Sequence, residues 1–234
     1  MHNLRNKFDK ISAIVKQFLK NLLDPDGNLP RRSKKPKFSD VEVIALSLLS
    51  ESLMIDSENC LFKLLHNNYK EQFPNLIERS RFNRRRKQLH HLIEKFRIHI
   101  VEQLVKHKNS FLIDSMPLPI VRFSRAKRAR ICREDYQSAP SFGYCAAHNQ
   151  PYFGYKLHGV ATVNGVMTHF DLSKAHVHDI EYFKDIRHYY PNCTLLGDRA
   201  YLSNPLQLEL FEENRLFLIT PMRRNQKNYQ KQPA

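Results

Sequence analysis

Apolar positions in the first hundred residues recur at three- and four-residue spacing. Leu4, Phe8, Ile11, Val15, Phe18, Leu19 and Leu22 line one helical face, ended by the turn signal Asp24-Pro25-Asp26-Gly27. Residues 28–37, rich in Pro and basic side chains, read as an exposed linker. Ser39-Asp40-Val41-Glu42 has the form of a capping box and opens a helix through Ile44, Leu48 and Leu49. Asp56 or Ser57 is placed to cap a short helix carrying Leu61, Phe62, Leu64 and Leu65. Past the break at Phe73-Pro74-Asn75, Ser80 is expected to start one long helix to about Lys106. Its stripe is Phe82, Leu89, Ile93, Phe96, Ile100 and Leu104. Residues 1–109 therefore read as an all-helical region.

From Ser110 the pattern changes to short apolar runs. Residues 110–113 form the first, and 116–121 continue it in extended form, because Pro117 and Pro119 exclude helix. Residues 154–163 and 166–172 flank Asn164-Gly165, a strong hairpin signal. A helix is expected from His178-Asp179 to about Tyr190, with Asp179 as its cap. A strand leading to Asp198, a helix over 204–214 and a last strand at 216–220 follow. The order strand, hairpin, helix, strand, helix, strand predicts an α/β arrangement with a mixed sheet, the order of a ribonuclease-H-like core. Two domains result: residues 1–109, helical, and residues 110–234, α/β.

Two of the apolar runs end in an aspartate. Phe111-Leu112-Ile113 leads to Asp114, and Leu195-Leu196-Gly197 leads to Asp198. Burying a carboxylate is costly unless it is paired or binds a cation. Each residue alone is accounted for as the cap of a following turn. Together they suggest one site, a carboxylate pair holding a hard metal such as Mg²⁺ through oxygen, on adjacent strands with the carboxyl groups roughly 4–7 Å apart.

Charge adds a partner. The chain has 38 Lys and Arg against 23 Asp and Glu, a net charge of +15, with 41% hydrophobic residues. That composition describes a folded protein with the electrostatic footprint of one that meets phosphate backbone. Arg81, Arg84, Arg85, Arg86 and Lys87 lie at the start of the expected long helix, where cations oppose the helix dipole. Short helices before a helix with a basic first turn resemble helix-turn-helix DNA readers, and a solvated charged face is the alternative. A second basic run holds Arg125, Lys127, Arg128, Arg130 and Arg133. Tyr144, Tyr152 and Phe153 follow it, either as part of a nucleic-acid surface or as ordinary core. His158, His176 and His178 do not match a common zinc spacing and read as structural. Lys156 and His158 lie in a strand next to the proposed site, within reach of a phosphate. Cys60, Cys132, Cys145 and Cys193 form no Cys-x-x-Cys pair, which leaves them as reduced thiols. No apolar run approaches membrane-spanning length, and the expected placement is cytosolic with access to DNA.

The segments FLIDS, RAKRARI, FGYCAAHNQPYFGYKLHGV, KAHVHDI, LLGDRAY and LITPMRRNQK, in that order, resemble the DDE transposases of bacterial insertion sequences. SENCLFKLLHNNY and FPNLIERSRFNRRRKQL resemble the helical region that precedes the core in one branch of them. The resemblance runs from Phe38 onward. It implies that Asp114 and Asp198 are catalytic and hold Mg²⁺, with Mn²⁺ as substitute. It also implies binding of the terminal inverted repeats and target DNA, a homodimer as active form, and a cytoplasmic, nucleoid-associated location. The basic residues above, with Lys156 and Arg199, are the expected DNA contacts. The family's third acid, a Glu after the last core strand, has no counterpart between residues 216 and 234. The expectation is therefore a C-terminally truncated chain with impaired catalysis. The alternative is a non-catalytic DNA-binding repressor of transposition. A nuclease recruiting Glu134, Glu181 or Glu209 is the remaining reading.

Overall fold

The structure, a computed structural model, describes residues 4–31, 34–105 and 109–221. The chain divides into two compact units, Met1–Ile100 and Val101–Ala234.

The first unit is built from α1 (Leu4–Phe18), α2 (Asp40–Ser52), α3 (Glu58–Asn68), α4 (Arg79–Gln88) and most of α5 (His90–Leu104). The stripe of α1 is buried through Leu4, Phe8 and Val15, and Leu19 follows in the turn beyond the helix. Leu22 lies past that turn and is half exposed. The capping box forms as the sequence indicates: the Ser39 hydroxyl accepts from the Glu42 amide, and the Glu42 carboxylate accepts from the Ser39 amide. Ser57, not Asp56, caps α3. Val43, Ile44, Leu46 and Leu49 of α2 are fully buried among Phe8, Phe38, Leu61, Leu65 and Phe82.

The expected single helix from Ser80 is two. It starts at Arg79 and is interrupted at Leu89, whose backbone turns to φ −92°, ψ 3°, outside the helical region, while its amide still donates to Arg85 O. No Pro or Gly marks the break. Its consequence is electrostatic. Arg85, Arg86 and Lys87 lie in the last turn of α4, where cations favour the dipole, so the opposition expected from a longer helix does not apply to them. The far end expected near Lys106 lies outside the described residues.

The second unit is a six-stranded mixed sheet: β1 (Ser110–Val121), β2 (Ser141–Cys145), β3 (Gln150–Thr162), β4 (Met167–Lys174), β5 (Thr194–Leu196) and β6 (Phe217–Ile219). The strand order is β2-β3-β1-β5-β6, with β4 on β3 beside the half that β2 leaves free. β1 runs antiparallel to β3 and parallel to β5, and β5 is parallel to β6. Asn164-Gly165 does turn the β3–β4 hairpin. Its loop is longer than two residues: Thr162 O accepts from the Gly165 amide, and only Gly165 has positive φ, +81°.

Alternation places Phe111 and Ile113 of β1 with Val160 and Leu195 on one buried face. That face is covered by residues 179–189, which contain the single α-turn α6 (Phe183–Ile186) between two 3₁₀ turns, and by α7 (Asn204–Asn214). Phe183, Ile186, Leu210 and Tyr201 are fully buried there. The helical region followed by this mixed sheet and its helices is consistent with a ribonuclease-H-like α/β core.

Candidate active site

The parallel β1–β5 ladder decides where the two aspartates fall. Leu112 pairs with Leu196, so Asp114 and Asp198 each lie two residues beyond that pair, on strands about 4.8 Å apart. Asp114 lies within β1, opposite Gly159 of β3 and just past the stretch that pairs with β5, and Asp198 lies two residues past the end of β5. Both are exposed. Asp114 Oδ1 accepts from the Ser115 amide at 2.7 Å, and Asp198 Oδ1 accepts from the Ala200 amide at 2.8 Å. Asp198 therefore does cap the turn Arg199–Tyr201, but with one oxygen only. The other oxygen of each carboxylate has no hydrogen-bond partner among the described residues.

A hard divalent cation fits such a pair. Mg²⁺ is commonly held by one or two carboxylates, with water and substrate phosphate completing the shell. Among the described residues no group of three His, Cys, Asp or Glu side chains is placed to hold a metal.

Sequence reasoning treated Asp179 as a helix cap. The capping side chain is instead His178, which accepts from the Ile180 amide. The Asp179 carboxylate turns inward, accepting from Ser115 Oγ at 3.0 Å and pairing with Lys156 Nζ at 2.9 Å. Lys156 also donates to Val177 O at 2.8 Å. Both side chains of the pair are largely buried, so Lys156, an expected DNA contact, is occupied within the protein. Beneath them Tyr201 is fully buried. Burial pushes its hydroxyl pKa up most, and the negative charge of Asp179, then of Asp114 and Asp198, adds to this, against a lowering contribution from Ser115. The Ser115–Asp179 hydrogen bond joins β1 to the start of residues 179–189. A hydrogen-bonded Ser directly after the first aspartate is the signal that could have revealed this.

His158 is fully buried, stacked on Tyr182 at 4.5 Å with Nε2 2.7 Å from Ser173 Oγ. Burial, above all, lowers its pKa. It is a structural residue and is not presented to a phosphate. His176 meets Ser141 Oγ at 2.8 Å, so the three histidines serve different partners. Glu209 and Glu213 both accept from Arg187, at 2.8 and 2.9 Å, and Glu181 pairs with Lys184.

The expected DNA-contacting cations separate by burial. Arg81, Arg84 and Lys87 are exposed on α4. Arg86 pairs with Glu58 at 3.2 Å. Arg85 faces the other way: it is 9% exposed, donating to Asp40 Oδ1 at 2.6 Å and Phe38 O at 2.5 Å. Asp40 also accepts from the Leu29 amide at 2.9 Å and pairs with Arg31. Burial pushes the Asp40 pKa up, but Arg85, the Leu29 amide and Arg31 outweigh it and hold it below its ordinary value. In the second unit Arg125, Lys127, Arg128, Arg130 and Arg199 are exposed.

The two aspartates thus lie just past the paired stretch of the adjacent parallel strands β1 and β5. The comparison with known families is specific. Residues 105–233 match the transposase DDE domain. That match spans more than half of the chain, and the protein belongs to this family, whose members typically use divalent metals. No curated protein and no solved structure matches the chain significantly. Among the described residues no helix is long and apolar enough to cross a membrane. The last of the family-like segments, from Met222 onward, and the tail in which a third acid was sought lie outside the described residues.

Proposed function

We propose that this protein is a DNA transposase that binds the ends of its element and catalyses divalent-metal-dependent strand cleavage and transfer, with Asp114 and Asp198 as the catalytic pair. The observation that carries the reading is that both aspartates lie two residues past the last pair of the parallel β1–β5 ladder, inside the matched family segment. Mg²⁺, with Mn²⁺ as substitute, is the ion that suits two carboxylates completed by water and phosphate. Bound there, it would stabilise charge on the attacking and leaving oxygens of a phosphodiester.

The chain's own residues have separable tasks. Asp114 and Asp198 each keep one oxygen on a backbone amide, which orients the other outward. Ser115, Asp179 and Lys156 tie the residue after Asp114 to the segment that follows β4, and Arg199, next to Asp198, is exposed where a phosphate would approach. Residues 1–109 form the DNA-binding domain, with Arg81, Arg84 and Lys87 as phosphate contacts, and residues 110–234 the catalytic one. The active form is a homodimer, one copy for each element end. Purified protein, a labelled element end and Mg²⁺ provide the test. Cleavage is expected from the wild type and lost with Asp198→Asn, and cleavage unchanged by that substitution would refute the assignment.

A further inference from the structure

At the β2 edge of the sheet an aromatic cluster lies in the open. Phe142 stands opposite Phe153 in the β2–β3 ladder, with ring centroids 4.9 Å apart, and Phe123 packs edge-on against Phe142 at 5.6 Å. Phe123 and Phe142 are 49% and 50% exposed. Close backbone packing fixes the register below them. A Cβ on Gly154 would lie 2.2 Å from Leu118 O, so glycine is required beside Phe153. Phe123 also opens the 3₁₀ turn Phe123–Arg128, anchored by buried Ala126. That turn spans roughly 12 Å and carries Arg125, Lys127 and Arg128. Arg122 precedes it, and Arg130 and Arg133 follow. All six cations are exposed, and none enters an ion pair among the described residues.

A solvated charged face has no use for half-exposed phenyl rings. A duplex uses only the cations, because it presents phosphates and base edges while stacking covers the base faces. An unpaired strand presents both phosphates and free π-faces, the combination that interleaved aromatic and basic side chains bind. We propose that the Phe123–Phe142 edge is a binding site for single-stranded DNA, the rings stacking on unpaired bases and Arg122, Arg125, Lys127 and Arg128 following the phosphates. This rests on the reading of the protein as a DNA transposase and adds a strand-selective subsite to it.

The test is anisotropy binding of the full chain to three probes of one sequence: a paired duplex, the same duplex with a single-stranded tail, and the single strand alone. Phe123→Ala with Phe142→Ala should weaken the tailed and single-stranded probes by about 5- to 150-fold per stacked base, leaving the paired duplex and all salt slopes unchanged. Arg125→Ala with Lys127→Ala and Arg128→Ala should flatten the single-strand salt slope by about 0.7 per lost contact. Phe→Leu at both positions keeps apolar bulk without a π-face and should reproduce the Ala loss, with melting curves confirming that each variant is folded. Equal loss on all probes, no loss, or full retention by the Leu pair would overturn the stacking site. Wild-type protein that binds none of the probes would overturn the transposase reading itself.

Discussion

Arg84 and Arg85 are neighbours in the sequence, yet they should fail in different assays. Arg85→Met removes the guanidinium that pairs with Asp40, whose side chain is only 3% exposed. Deleting one partner of a buried ion pair typically costs about 3–5 kcal/mol, because the other charge is left uncompensated. Arg31 and the Leu29 amide still reach Asp40, which places the expected loss near the low end, about 3 kcal/mol. For a unit of this size each kcal/mol shifts Tm by roughly 4–8 °C, so the melting transition of the helical unit should fall by about 12–24 °C. Arg84→Ala should leave Tm within about 2 °C and act on DNA affinity alone. The assays are thermal melting by circular dichroism and DNA binding across a salt series. Asp40→Asn should lower stability too, and the double variant Arg85→Met/Asp40→Asn should lose less than the two single losses combined. A stable Arg85→Met protein with weakened, less salt-dependent DNA binding would refute the argument and return Arg85 to the nucleic-acid surface.

Further outcomes follow from the same geometry. Asp40 has a lowered pKa in the folded state, so its contribution to stability is present above its unfolded value and lost as pH falls through the folded one. Denaturant titrations should show stability level at neutral pH and declining below about pH 4, a decline that Asp40→Asn flattens. Arg84→Ala with Lys87→Ala should reduce the slope of log affinity against log salt by about 0.9 per lost phosphate contact on duplex DNA. Lys156→Met leaves Asp179 buried without its cation and should destabilise the α/β unit and reduce Mn²⁺ binding, measured by electron paramagnetic resonance of the free ion. Lys156→Arg should recover part of both.

Much of this was legible in the sequence where the signal is local. The Ser39–Glu42 capping box is a four-residue pattern closed by its own side chains, and it formed as read; Asn164-Gly165 between two strand-like runs does turn a hairpin, with a longer loop. The aspartate-ended runs stood out because a carboxylate after an apolar run conflicts with burial. Long-range partnerships were not legible. Nothing in Arg84-Arg85-Arg86 marks the middle residue as facing inward. It does so because α4 presents Phe82, Arg85 and Leu89 to the core, and Asp40 waits there from 45 residues earlier. The interruption at Leu89 was equally hidden, since no Pro or Gly produces it. Asp179 matched a capping position, and only the fold brings Ser115 and Lys156 to it in place of its own helix's amides.

Asp114 and Asp198 are proposed as one metal-dependent site acting on DNA. Its most direct test follows Mn²⁺ binding and element-end nicking in parallel for the wild type, Asp114→Asn and Asp198→Asn. Each substitution keeps shape and backbone hydrogen bonding while removing one anionic donor. Either one alone is expected to weaken Mn²⁺ binding and abolish nicking, with melting temperatures unchanged. Two variants that bind Mn²⁺ as the wild type does, or nicking that survives either substitution, would contradict this proposal.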